Sequence, residues 1–517
     1  MNNGHVLWID DEIEMLRPHV LFLEKKGYVV ETLNNGSDAV QRCKERSYDL
    51  VFIDEMMPGL SGLETLRLLK EIAPHMPVVM VTKSEEEDIM EEAIGAKIAD
   101  YLIKPVNPHQ MLLTLKKNIH RQELVTEHAQ SGYRQQYQQL MTLMMNCQEV
   151  DDWMQIYRKL THWELELSEA DSEMTELLRM QKEEANRAFA KFIRKHYLDW
   201  VRPEVRQRPL MSADVMRQRV FPLLDKREKV LMVVIDNLRY DQWRVLAPEL
   251  SAAFDIEEEL YLSILPTATQ YARNALFSGL MPRQIAVRFP ELWVDEDEAE
   301  GKNCNEAPLL QNLLERYGRK EAFVYHKIND SVGAEQVIAH LREQSNLPLQ
   351  VLVVNFIDML SHARTESRMI RELAHDEAAY RNLTVGWFRH SFMGELLQRQ
   401  AQEGYRIVLT TDHGSIRCHR PEKVIGDRNT NTNLRYKLGK NLNYDAKNLF
   451  VIKKPEEAQL PAPNLSTSYI FASGDAFFAY PNNYNYYVSY YRNTFQHGGI
   501  SMEEMLVPFV TLRMKNR

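Results

Sequence analysis

From 133 to 202, between Gly132 and Pro203, the sequence contains neither glycine nor proline. So long a stretch without the two strongest helix breakers favours long helices. Leu140, Leu143, Met144 and Cys147 fall at i, i+3, i+4 and i+7, and Trp153, Ile156, Tyr157 and Leu160 repeat that spacing. Such spacing marks amphipathic helices. The pattern predicts an all-α bundle of two or three helices, broken near Ser168 to Ser172, serving as a spacer or as a dimerisation or signal-relay element. On both sides of it the sequence alternates short apolar runs with amphipathic stretches. The expectation is a multidomain α/β chain divided at 1–121, 122–205 and 206–517.

In the first segment, His5–Ile9, Leu50–Ile53, Met76–Val81 and Tyr101–Ile103 read as buried strands, and Glu14 to Lys26 reads as a helix. Alternation of this kind predicts a doubly wound (βα)5 parallel sheet. Asp10 and Asp11 follow the first strand, Asp54 the second, Thr82 the third and Lys104 the fourth. Three carboxylates at one sheet edge repel one another unless a hard cation such as Mg²⁺ lies among them. A carboxylate in that setting can accept a phosphoryl group. The Thr82 hydroxyl and Lys104 ammonium can then bind the phosphoryl oxygens and shift the loop carrying Tyr101.

The motifs Ile9-Asp-Asp-Glu12, Asp54-Glu-Met-Met-Pro-Gly59, Val81-Thr-Lys-Ser84 and Tyr101-Leu-Ile-Lys-Pro105 resemble those of the receiver domain of two-component response regulators. The resemblance implies Asp54 as phosphoacceptor and a sensor histidine kinase as partner. It also implies Asp11, Asp54 and the Met56 carbonyl as Mg²⁺ ligands, with Asp10 acting through water.

Composition narrows the output. The formal net charge is -10, from 73 acidic and 63 basic side chains. Duplex-DNA binding draws most of its affinity from phosphate contacts, so wholesale DNA binding is a poor fit. The last segment also has the wrong size for a helix-turn-helix domain. Four scattered cysteines without CxxC spacing exclude a disulfide scaffold and a cysteine zinc finger. With no signal peptide and no long apolar run, the expected location is cytoplasmic. Catalysis is the expected output.

In that segment Val230–Ile235, Val351–Ile357 and Ile407–Thr411 read as strands, each followed at once by an aspartate. Asp236, Asp358 with His362, Asp412 with His413, and the later His497 form a mixed carboxylate–imidazole set suited to zinc or manganese and sufficient for two ions. Asp358 and His362, four apart, share one helix face. Pro266-Thr-Ala-Thr269 supplies a hydroxyl nucleophile.

The ordered series Asp236, Thr269, Asp358-x-x-x-His362, Asp412-His413-Gly414 and His497 resembles the alkaline phosphatase superfamily. The stretches Asp236–Asp241 and His497–Glu504 bring it closest to the PglZ branch. The resemblance implies one Zn²⁺ on Asp236, Thr269, Asp412 and His413, and a second on Asp358, His362 and His497. It favours Thr269 over Thr267 as nucleophile. Receiver and PglZ together resemble the PorX-like response regulators. That likeness implies a link to type IX secretion and secretion-system or sigma-factor partners, while domain order and the common behaviour of receivers imply a homodimer on phosphorylation.

Eight basic residues against three acidic ones lie between Ser415 and Phe450. Arg417, Arg420 and Lys423 are the candidate substrate contacts, and Tyr484–Tyr491 reads as a base-stacking run or a packed core strand. The expected reaction is phosphodiester hydrolysis of a nucleotide or short oligonucleotide. The competing expectation is a metal-stabilised platform that recruits secretion or transcription machinery without catalysis.

Overall fold

The computed structural model describes all residues except 1–2, 74–75, 83–97, 120, 168–172, 203, 206, 297, 299–302, 329–330, 427–429, 465 and 516–517. The chain forms two compact units, 1–132 and 133–517.

The first unit holds a five-stranded parallel sheet: β1 (His5–Ile9), β2 (Val29–Leu33), β3 (Leu50–Asp54), β4 (Val78–Thr82) and β5 (Asp100–Ile103) in the order β2-β1-β3-β4-β5. Alternate residues of the central strands feed opposite cores. Val6, Trp8, Leu50, Phe52, Val79 and Val81 pack on one face, and Leu7, Ile9, Val51, Ile53, Val78 and Met80 on the other. Burial on both faces is why these strands read as continuous apolar runs. The strand order reverses between β1 and β3, where an open α/β sheet places its ligand crevice.

Three helices follow, the first of which starts before residue 133. Arg121–Asn146, Val150–Glu166 and Glu173–Trp200 are separate helices. The break expected at Ser168 to Ser172 falls outside the described residues. A break at 147–149, which lacks glycine and proline, was not expected. It is fixed by Asp152, whose side chain caps the backbone N–H groups of Gln148 and Glu149 at 3.0 and 3.1 Å.

Beyond the helices lies a six-stranded sheet. β6 (Lys229–Ile235), β8 (Phe323–Ile328), β9 (Leu349–Val354) and β10 (Tyr405–Thr410) are parallel, in the order β10-β6-β9-β8. The strand Leu506–Met514 runs antiparallel to both β10 and β7 (Phe254–Leu262), lying between them. Val230, Met232, Val234, Val351, Val353 and Val408 form the core of one face with Leu276, Phe277 and Leu309.

One strand ends earlier than the apolar run suggests. Among the described residues the last pairs are Val354 with Ile235 and Val354 with Ile328. The chain turns into the helix Phe356–Glu366. Asp358 therefore sits in a first helical turn, not at a strand end. The tyrosine run is also corrected: Tyr484–Tyr491 is a helix, not a core strand.

An ion network attaches the linker helices to the sheet domain. Arg381 binds Glu164 at 3.0 Å and Asp241 at 3.1 Å, Arg239 binds Asp241 and Glu377, each at 2.6 Å, and Lys182 binds Glu164 at 2.5 Å. Arg239, Asp241 and Arg381 are buried, and leaving one of them unpaired carries a large desolvation penalty.

Candidate metal centres and a candidate nucleophile

In the first unit, carboxylate oxygens of Asp10, Asp11 and Asp54 lie within 4.8 Å of one another. Lys104 Nζ donates to Asp10 at 2.7 Å and contacts Asp54 at 3.1 Å. Burial raises the Asp54 carboxyl above its usual range, Asp10 and Asp11 add to this, and Lys104 opposes it. An all-oxygen set under mutual repulsion fits a hard cation. Thr82 is buried and its carbonyl accepts from the Lys104 N–H at 2.7 Å. Tyr101 is half-buried, and Met56 is exposed at the loop after β3. Lys83 and Ser84 lie outside the described residues.

In the second unit, two ligand groups form among the described residues that match the expected division: Asp236 with Asp412 and His413, and Asp358 with His362 and His497. They are neighbours. The His413 and His497 rings stack with centroids 4.2 Å apart and planes 17° apart. Thr269 opens the helix Thr269–Ser278. Its hydroxyl oxygen lies 3.2 Å from His413 Nε2 and 3.5 Å from Asp236 Oδ1. Thr267 points elsewhere: it donates to the Gly499 carbonyl at 2.9 Å and accepts from the Gly498 N–H at 3.0 Å.

The histidines are oriented from behind. His413 Nδ1 pairs with the Gly414 carbonyl and His497 Nδ1 with the Thr267 carbonyl, each at 3.1 Å. Both therefore turn Nε2 into the site, the usual support for a metal-binding imidazole. Burial holds both imidazoles below their usual pKa, so they are neutral and able to ligate. His497 Nε2 is 3.6 Å and His362 Nε2 3.5 Å from Asp358, and Asn237 donates to Asp358 at 3.2 Å.

The donor set also fits a metal by its unmet demand. Asp412 Oδ2 is buried with no hydrogen-bond partner among the described residues. Burial, with Asp236 beside it, pushes the Asp412 carboxyl well above its usual pKa. A cation between Asp236 and Asp412 would relieve both effects, and a mixed Asp/His set suits zinc. Part of the compensation comes from Arg273, a buried residue that sequence reasoning missed. It contacts Asp236 at 3.1 Å, Glu306 at 3.4 Å and Asp412 at 3.7 Å. Its position one helical turn after Thr269 was the available signal.

The basic strip is not one surface. Arg435 is buried against Glu504 at 2.6 Å, and Lys437 is buried with its Nζ donating to the Asn431 carbonyl at 2.8 Å. Arg428 lies outside the described residues. Arg417 and Arg420 line a cleft of about 490 Å³ shared with Lys182 and Arg381, and none of the candidate zinc ligands lines it. Arg417 donates to the His375 carbonyl at 2.8 Å, and Lys423 lies 5.2 Å from the Tyr484 ring centroid. Among the described residues no helix is long and apolar enough to cross a membrane.

Three family profiles match the chain. They are the response regulator receiver domain over 6–116, the PorX response regulator linker domain over 123–201, and the BREX system PglZ alkaline phosphatase-like domain over 215–512. The transcriptional regulatory protein ResD of Bacillus subtilis is 32% identical over 120 residues, 23% of this chain and 50% of ResD. The alginate biosynthesis regulator AlgB of Pseudomonas syringae is 37% identical over 123 residues, 24% of this chain and 28% of AlgB. The chain thus spans half or less of these curated relatives. A solved receiver domain protein from Clostridium thermocellum aligns at 32% identity, covering 23% of this chain and 98% of its own, with a TM-score of 0.22. With the PglZ profile alone covering more than half of its length, the chain belongs to the PorX-like response regulators, in which a receiver and a PorX linker precede a PglZ alkaline phosphatase-like domain.

Proposed function

We propose that the PglZ domain is a zinc-dependent phosphodiesterase acting on nucleotide or short oligonucleotide substrates, controlled by phosphorylation of Asp54 by a histidine kinase. The observation that carries this reading is the placement of the Thr269 hydroxyl 3.2 Å from His413 and 3.5 Å from Asp236, beside a second triad of Asp358, His362 and His497.

Zinc held by Asp236, Asp412, His413 and Thr269, and by Asp358, His362 and His497, would lower the pKa of a hydroxyl and polarise a phosphoryl oxygen. Thr269 Oγ1 attacks phosphorus in line. The departing ester oxygen takes the bonding pair and the hydroxyl proton and leaves as an alcohol, while phosphorus, still carrying its second ester group, stays on Thr269 as a threonyl phosphodiester. Water then hydrolyses this ester and restores the hydroxyl. The helix that starts at Thr269 directs its N-terminal dipole toward the phosphate, favouring the anion.

Mg²⁺ held by Asp11, Asp54 and the Met56 carbonyl, with Asp10 through water, would shield the carboxylates during phosphoryl transfer to Asp54. Lys104 and Thr82 bind the transferred phosphoryl oxygens, and Tyr101 follows them. Phosphorylation drives homodimerisation, which links the receiver to hydrolysis and to a role in type IX secretion.

The assay pairs zinc-loaded protein with bis-p-nitrophenyl phosphate and with short cyclic and linear oligonucleotides. Thr269→Ala should abolish turnover; equal turnover by that variant overturns the mechanism. A strong preference for p-nitrophenyl phosphate would replace the diesterase with a phosphomonoesterase. Size measured with and without beryllofluoride tests dimerisation, and an unchanged monomer counts against it.

A further inference from the structure

The helix Tyr484–Tyr491 has the sequence YNYYVSYY, five tyrosines in one short helix. Tyr484, Val488 and Tyr491 follow the i, i+4, i+7 rule and pack against Ile416, Cys418, Phe477 and Ala479. That accounts for the buried face. Tyr486, Tyr487 and Tyr490 remain on the outer side, with Tyr486 64% and Tyr487 36% exposed. Single exposed aromatics are ordinary, whereas a contiguous group marks a contact surface. The Tyr486 and Tyr490 rings lie near-parallel, 16° apart with centroids separated by 6.1 Å, and present a ladder of π-faces.

Cations flank the ladder. The Arg371 guanidinium lies 5.5 Å from the Tyr490 ring centroid, and Lys423 lies 5.2 Å from that of Tyr484. The ladder is also tied to the second ligand triad at both ends. Arg371 donates to the carbonyls of Arg364 and Thr365, at the end of the helix that carries Asp358 and His362. On the other side the chain runs from Tyr491 through the Phe495–Gln496 strand directly into His497. Arg364 donates to the Asn493 carbonyl, and Gln496 donates to the Thr365 hydroxyl at 3.5 Å. This side of the metal site is open, since the His362 side chain is 63% exposed.

We infer that the Tyr486–Tyr487–Tyr490 face is a base-stacking platform for a single-stranded oligonucleotide whose phosphodiester lies at the adjacent triad. The inference rests on the phosphodiesterase reading above and names the part of the substrate this face binds. Every base has a π-face, so stacking on tyrosines gives affinity with little sequence preference. Lys423 and Arg371 supply the positive charge that backbone phosphates require, which makes binding salt-dependent.

The test uses full-length Thr269→Ala protein loaded with zinc, so that binding is read without turnover. Fluorescein-labelled oligothymidylate and an abasic strand of equal length are titrated by anisotropy. The base-bearing strand should bind more tightly. Adding Tyr486→Ala and Tyr490→Ala should weaken it by about tenfold per stacked base and leave the abasic strand unchanged. Tyr486→Phe with Tyr490→Phe should restore the parent affinity and, by keeping the packing, separates stacking from misfolding. Equal affinity for the two strands, or no loss on alanine substitution, overturns the inference. So does a tyrosine face that captures a purified protein partner while ignoring oligonucleotide. Failure of the Thr269→Ala activity test would instead remove the catalytic reading and leave this binding result standing.

Discussion

Asn186 joins a linker helix to the chain segment behind the candidate metal site. Its Nδ2 donates to Glu503 at 2.9 Å, and its Oδ1 accepts the Met502 N–H at 2.8 Å. The Glu503 carbonyl lies against Gly414, where an added Cβ would approach it to 2.1 Å. Gly414 follows His413 and donates its N–H to the Glu504 carbonyl at 3.1 Å. The helix Glu173–Trp200 therefore holds the backbone that packs against Gly414, the residue after His413.

Asn186→Leu leaves the Met502 N–H and one Glu503 carboxylate oxygen without their partners. Each orphaned buried group costs about 1–3 kcal/mol. Differential scanning calorimetry should show a lower Tm, and diester turnover should fall although no ligand has changed. Wild-type values for both would show that the clamp is passive.

Arg273→Met removes the cation behind Asp236 and Asp412. Breaking a buried ion pair from one side costs about 3–5 kcal/mol, so the metal-free protein should melt well below wild type. Zinc would then relieve more repulsion in the variant. Its zinc-induced rise in Tm should exceed that of wild type, as expected when a ligand binds only the folded state. Equal increments would mean that Arg273 does not share the carboxylates with the metal.

Lys437 gives a pH signature outside the metal site. Burial pushes its ammonium down to about 7, with Glu296 opposing the shift. An unfolded lysine titrates near ~10.4. Between these values the unfolded chain holds a proton that the folded chain has released. Stability contributed by this group therefore rises with pH across the window, by about 1.4 kcal/mol per pH unit. Lys437→Met should flatten that part of the pH–Tm curve between pH 7 and 10; an unchanged slope assigns the window to other groups.

Asp54→Asn should abolish acyl-phosphate labelling by phosphodonors. It also removes one of three crowded carboxylates, one that burial already disfavours as an anion. Without magnesium the isosteric variant should melt no lower than wild type. Magnesium should stabilise wild type more than the variant. The reverse order would place the cation away from Asp54.

Both sheets were legible because their central strands are buried on two faces and carry unbroken apolar runs. β2 was not, since an edge strand is half-exposed and Val29–Leu33 lacks such a run; nor were β7, β8 and Leu506–Met514 of the larger sheet. The carboxylates and histidines stood out because polar residues at the end of an apolar strand contrast with what precedes them. Arg273, the Arg435–Glu504 pair and the anchoring role of Thr267 were hidden. Their function comes from partners far away in sequence, and nothing local marks a buried arginine as paired. The basic strip failed for the same reason, because a charge count cannot separate Arg435 and Lys437 inside from Arg417 and Lys423 outside. The core-strand alternative for the tyrosine run failed because aromatic richness suggests a strand, whereas the spacing of Tyr484, Val488 and Tyr491 is helical.

The strand Leu506–Met514 enters the sheet between β7 and β10, both of which precede it by many residues. Such long-range closure is slow and comes late in folding. His497 and the Glu503–Gly414 contact depend on the same stretch of chain. A nascent chain that has not yet delivered this strand holds Thr269, Asp236 and Asp412 without the enclosure of the folded domain. The proposed diesterase activity would therefore arise only after the C-terminal strand has docked, and truncated chains should be inactive in the diester assay.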